Sequence, residues 1–256
     1  MMNFFNMGFD INTVLQIFTK VLIVFLILPI HEFAHAWAAH KMGDDTAAYM
    51  GRLTLNPLAH IDVFGAICLV LTGFGWAKPV PINPVKFRRP RFGTAVTAAA
   101  GPLSNLIVAI IALVAYRIIE CTSMFHKSIQ SLYDVYSNID EFMKEPFTAS
   151  TLENAANSNS GLFFLFYVLE VFIIVNIGLA IFNLIPIPPL DGSKILQYFT
   201  SAKFDQMVAR YAQQINIVFM IVVLSGVLSK PLGFVNECVR NFLWFITGFI
   251  PSLMGA

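Results

Sequence analysis

Charge is scarce in this chain: of 256 residues only 12% are Asp, Glu, Lys or Arg, and the formal net charge is +1. A balance this close to neutral offers no electrostatic footprint for nucleic acid, which needs clustered Lys and Arg. Cysteine is scarce too. Cys68, Cys121 and Cys238 are odd in number, widely spaced and mostly in apolar surroundings, so neither a disulfide framework nor a thiolate metal site is expected. No positively charged segment precedes the first apolar run and Lys20 sits inside it, so Ala36-Trp37-Ala38 is not read as a signal-peptide cleavage site. Internal repeats are lacking, and the one low-complexity stretch, ENAANSNSG at 153–161, reads as a flexible loop.

What the chain has in excess is apolar surface: 57% of residues are hydrophobic and the mean hydropathy is +0.71, beyond what a soluble domain of this length needs for its core. The expected class is an all-α polytopic membrane protein with four to six transmembrane helices, a short membrane-associated β segment and a re-entrant loop. Apolar runs at about 12–42, 93–118, 162–186 and 212–229 are long enough to span, with a further run at about 232–250 after Pro231. The patch at 63–76 is glycine-interrupted and short, which favours a re-entrant or interfacial position. Segment 44–60 alternates roughly and contains Asn-Pro, the pattern of a short strand or hairpin at the membrane surface. Residues 1–256 are read as one intramembrane domain, with core helices at about 12–42, 93–118 and 162–200 and accessory helices at about 212–250. The loop at 119–161 lies near the lower limit for a stable module of its own.

Lys41, Arg52, Lys78, Lys86, Arg88, Arg89 and Arg91 crowd the first loop, whereas 119–161 is acidic. That asymmetry places the first loop and the 187–211 segment on the cytoplasmic side, with the N-terminus outside.

The unusual residues lie in LPIHEFAHAWAAHK, at 28–41. His31 and His35 are four apart, which puts both imidazoles on one helical face, and together they can hold Zn²⁺. Glu32 beside them can take a proton from a metal-bound water. Val21 to Ile30 upstream carry no charge, and an ionised group at membrane depth costs a few kcal/mol, which favours metal binding there over a structural or proton-relay cluster. The polar cluster sits about 15 Å below the helix end near Met42. A third ligand is required, and Asp191 in FNLIPIPPLDGSKI is the candidate, because three prolines break the preceding helix and unwound backbone at this depth marks a site.

HEFAHAWAAH, GRLTLNPLAHID, GWAKPVPINP, AGPLSN and FNLIPIPPLDG occur in this order, and over residues 20 to about 200 the chain resembles the site-2 protease family of intramembrane zinc metalloproteases, in its compact bacterial form without PDZ or CBS domain. The resemblance implies His31, His35 and Asp191 as ligands of one Zn²⁺ per chain, Glu32 as general base, and Asn183 near the substrate or the developing oxyanion. It also implies a transmembrane protein as substrate, a lipid bilayer as surroundings, and a bacterial inner membrane as location. Asp45 and Val63 stand where the family usually has proline.

His60 could contact substrate or metal, or bond to its own loop; Asn105, in a helix rich in small residues, suits an interhelical hydrogen bond or a place at the substrate. Segment 44–60 is expected to receive substrate as an added strand. Two other classes account for the same ionisable residues: a metal-independent transporter or proton channel, and an inactive relative that binds helices without cutting them.

Overall fold

The computed structural model describes residues 11–72, 75–122 and 161–254. Apart from its ends, the 119–161 loop, with the 153–161 stretch and His126, lies outside the described residues. Eleven α-helices follow in chain order among them: α1 (Ile11–Met42), α2 (Thr46–Tyr49), α3 (Pro57–His60), α4 (Val63–Thr72), α5 (Pro90–Glu120), α6 (Gly161–Leu184), α7 (Asp191–Phe199), α8 (Ala202–Arg210), α9 (Ala212–Leu224), α10 (Ser229–Ile246) and α11 (Phe249–Met254). The helical class expected from the sequence holds, and no sheet forms among these residues. Extended pairing is limited there to one antiparallel bridge, Ile61 with Ala77.

Helix α5 is the centre. Its buried face is built from small or polar residues, Ala98, Gly101, Asn105, Ala109 and Ala112, which let α1, α6 and α7 approach closely. Its opposite face presents Leu103, Ile107, Ile110, Ile111 and Ile118 outward, a stripe that water would not tolerate and lipid would. Among the described residues α5 is the one helix that by itself is long and apolar enough to cross a membrane; α8 and α9 together pass the same test but are bent by 67°.

At the end of α5 remote from Pro90, Leu113 and Tyr116 pack with Ile173 and Ile177 of α6 and Leu243 of α10. Arg117 stacks over the Trp244 ring at 3.8 Å, donates to the Trp244 carbonyl at 3.1 Å and pairs with Glu120 at 2.9 Å. Glu170 of α6 lines a cavity of about 230 Å³ together with Tyr116, Arg240 and Trp244.

Segment 44–60 does not form the expected strand or hairpin. Local caps win over its weak alternation. The Asp44 carboxylate accepts from the Thr46 amide and hydroxyl at the start of α2, and the Asn56 side-chain Oδ1 accepts from the Leu58 amide, with Pro57 in the first turn of α3. Residues 63–72 of the 63–76 patch form the ten-residue helix α4, which at about 1.5 Å per residue spans only half of a bilayer core. The extended chain lies instead at 77–83, where Pro79 and Pro81 forbid helix.

Candidate metal centre

Helix α1 carries His31, Glu32 and His35, all buried although they are ionisable. Helix α7 begins at Asp191, also buried, after the chain reverses through Ile185 to Leu190. The reversal is tight: a Cβ on Gly192 would lie 2.3 Å from the Leu184 carbonyl oxygen, so only glycine lets the two passages of chain meet.

The rings converge through their Nε2 atoms. These lie 3.0 Å apart, and Asp191 Oδ2 is 3.5 Å from that of His31 and 3.1 Å from that of His35. Asp191 Oδ1 faces outward to the Lys194 ammonium at 3.2 Å. A tetrahedral ion with bonds of about 2.0–2.1 Å needs ligand atoms about 3.3 Å from one another, and the three edges bracket that length.

The opposite ring nitrogens fix which atoms are free to ligate. His35 Nδ1 is 2.7 Å from the Thr97 carbonyl, which can only accept, so this nitrogen carries a proton and in the neutral ring Nε2 keeps its lone pair. His31 is oriented by a longer relay. The Phe172 carbonyl accepts from Asn176 Nδ2 at 2.8 Å, the Asn176 oxygen accepts from Asn105 Nδ2 at 2.9 Å, and the Asn105 oxygen faces His31 Nδ1 at 2.5 Å. Each amide has one orientation that fits, and the sequence of donors makes Nδ1 the protonated atom of His31 as well. With both rings neutral, two lone pairs and a carboxylate oxygen point at one another, an arrangement that repels unless a proton or a metal cation lies among them. The donor set of two imidazoles and one carboxylate is that of a zinc site with an open position for water.

Gly101 closes the site from α5. A Cβ there would lie 2.4 Å from His35 Nε2 and 2.6 Å from His31 Cε1, so any side chain would displace both rings. Glu32 points elsewhere: its Oε2 accepts from the Val80 amide at 3.2 Å. Val80 belongs to the extended strap at 77–83, which is anchored by Lys78 N to the His60 carbonyl at 2.8 Å and Asn83 N to Asp44 Oδ2 at 2.6 Å.

The model of peptidase family M50 matches residues 19–227, which contain every one of these groups. The chain belongs to peptidase family M50, the site-2 proteases. It is 33% identical over 203 residues to "Putative zinc metalloprotease YwhC" of Bacillus subtilis (strain 168), covering 79% of this chain and 76% of that protein. No solved structure matches. The family makes this chain a membrane-embedded metalloprotease, and the transporter and proton-channel alternative falls with that assignment.

Within this site-2 protease, the sequence-selected residues divide. His31, His35 and Asp191 are brought together, while Glu32, next to His31 in the chain, is turned to the Val80 amide. Asn105 reaches His31 itself. His60 is fully buried and donates from Nε2 to the Thr54 carbonyl of its own loop at 2.7 Å. Asn183, in the last turn of α6, donates to the Leu179 carbonyl at 3.0 Å within its own helix. Sequence reasoning passed over Asn176, Val80 and the contact of Gly101 with the rings. Asn176 alone carried a signal, as a lone amide in the apolar run VFIIVNIGLAIF, where an interhelical hydrogen bond is the default reading.

Proposed function

We propose that His31, His35 and Asp191 hold one zinc ion, and that Glu32 is the general base for hydrolysis of a peptide bond within or beside a transmembrane segment of another protein. The observation that carries this reading is the convergence of three ligand atoms at 3.0–3.5 Å, with both Nδ1 atoms already committed to oxygen acceptors. Zinc, when bound, polarises the scissile carbonyl and brings the pKa of a water toward about 7. Glu32 uses its two oxygens differently: Oε2 rests on the Val80 amide, while Oε1 accepts the proton of the attacking water and delivers it to the leaving nitrogen. Asn183, at the end of α6 just before the proline-broken turn to Asp191, is assigned to the substrate side of the site.

The same residues support a location. The cluster lies about 15 Å from the end of α1, and that end opens into the Lys- and Arg-rich segment, so the site faces the cytoplasmic side of a bacterial cell membrane crossed several times by one intramembrane domain. The inactive-relative reading is disfavoured because no member of the His-Glu-His-Asp set is missing.

Glu32→Gln tests the assignment. Cleavage should fall by about 100- to 10,000-fold with zinc content unchanged, and the variant should trap membrane proteins that co-purify with it. Cleavage at the wild-type rate would remove Glu32 from the mechanism.

A further inference from the structure

We infer that Arg52 is a positioning residue for Glu32 and acts through a single peptide group. This deepens the assignment of Glu32 as general base and rests on it. Arg52 reads in the sequence as one of several cationic loop residues, but in the structure it is buried. Its Nη2 donates to the Lys78 carbonyl at 3.1 Å and to the Pro79 carbonyl at 3.0 Å. The Pro79 carbonyl and the Val80 N–H belong to the same peptide unit, and that N–H donates to Glu32 Oε2 at 3.2 Å. A cationic donor on the carbonyl oxygen draws density from the amide nitrogen and makes its N–H a stronger donor, so guanidinium, peptide and carboxylate form one polarised series.

The surrounding sequence leaves this N–H without competitors. Pro79 and Pro81 have none to offer, and both hold the chain extended, so Val80 supplies the sole amide proton of the stretch 79–81. Both ends of the strap are tied, to His60 and to Asp44. Burial of the guanidinium is costly: Arg52 Nη1 is enclosed and has no hydrogen-bond partner among the described residues. If only volume were needed, an apolar side chain would fill it at lower cost. What the guanidinium adds is a charged grip on the peptide that faces the base.

The test uses the full chain, zinc-loaded in detergent micelles, with a synthetic single-span peptide carrying an Asn-Gly pair in its last turn as probe. Glu32→Gln sets the floor; residual cleavage at the wild-type rate there would fault the base assignment, whatever Arg52 does. Arg52→Gln should lower kcat by about 10- to 100-fold while KM and zinc content stay within about twofold. Arg52→Lys should recover part of the loss, because an ammonium can still donate to the carbonyls. Val80→Pro removes the N–H from a stretch already held extended by Pro79 and Pro81 and should lose as much; because it also replaces a side chain packed with Ala36 and Ala47, it is read against Val80→Ala, which keeps the N–H and should keep kcat within about threefold. The double variant Arg52→Gln with Val80→Pro should be no worse than Val80→Pro alone. Wild-type kcat in either single variant, or losses that multiply in the double one, would overturn the inference. Should Arg52→Gln fail to fold, Val80→Pro decides: a kcat loss with intact zinc and KM sustains the peptide as the support of Glu32, and an unchanged kcat rejects it.

Discussion

His31 and Glu32 are neighbours in sequence, yet the structure supports them by opposite means. The imidazoles are held by helices: Thr97, Gly101 and Asn105 all come from α5, and Asn176 from α6. The carboxylate is held by irregular chain, a proline-rich strap whose own anchors are Arg52, His60 and Asp44. The division suits the roles proposed for them. A ligand must not move, and helix-borne atoms are placed to within a fraction of an ångström. A proton carrier must turn between two partners, and a single backbone N–H on one oxygen fixes it while leaving the other free.

The sharpest way to break this comparison is Gly101→Ala. If the helical side is as rigid as the packing indicates, the added methyl cannot be absorbed, and zinc stoichiometry measured on the purified protein should fall toward zero along with activity. Retention of a full complement of zinc would mean that α5 yields. Next in size is Asn105→Ala, which removes the partner of His31 Nδ1. Zinc affinity, read by competition with a chelator, should weaken by about 10- to 100-fold, whereas kcat of the zinc-saturated enzyme changes less. An effect on kcat alone would place Asn105 with Glu32 and erase the distinction.

The smallest effect belongs to the strap's outer anchor. Burial raises the Asp44 carboxyl, but the bonds from the Thr46 hydroxyl, the Asn83 and Thr46 amides and the Lys86 charge outweigh it and hold the group below the ordinary carboxylate range. The folded state therefore favours the ionised form. Its contribution is complete above about pH 4 and fades as the pH falls through the lowered native value. Asp44→Asn should lower the thermal midpoint at pH 7 by a few degrees, a loss of about 1–2 kcal/mol, and should flatten the acid decline seen in the parent protein. A midpoint that declines in parallel for both proteins would show that Asp44 does not tie the strap.

The helical side of this comparison was the more legible in the sequence. Apolar runs at 12–42, 93–118 and 162–186 correspond to α1, α5 and α6 within a few residues, because lipid-length hydrophobic segments have few alternatives to helix. His31, His35 and Asp191, which the structure brings together, were selected through spacing and a proline break, both of which are local signals. The strap was not legible. GWAKPVPINP shows that its chain is extended, but nothing local shows that Val80 meets Glu32, separated by 48 positions, or that Arg52 is enclosed. Segment 44–60 misled for the converse reason: two capping side chains outweighed a faint alternation that had no neighbouring strand to reward it.

The stacking of Arg117 on Trp244 carries one more consequence, since the family match stops at residue 227 while its partner in that stack comes later. A truncated form cut at that boundary would retain His31, Glu32, His35 and Asp191. It would also uncover the Tyr116 ring and leave a guanidinium with Glu120 for company, at the end of the bundle opposite the chemistry. Such a fragment would be sticky before it was inactive, and loss of monodispersity would be its first symptom.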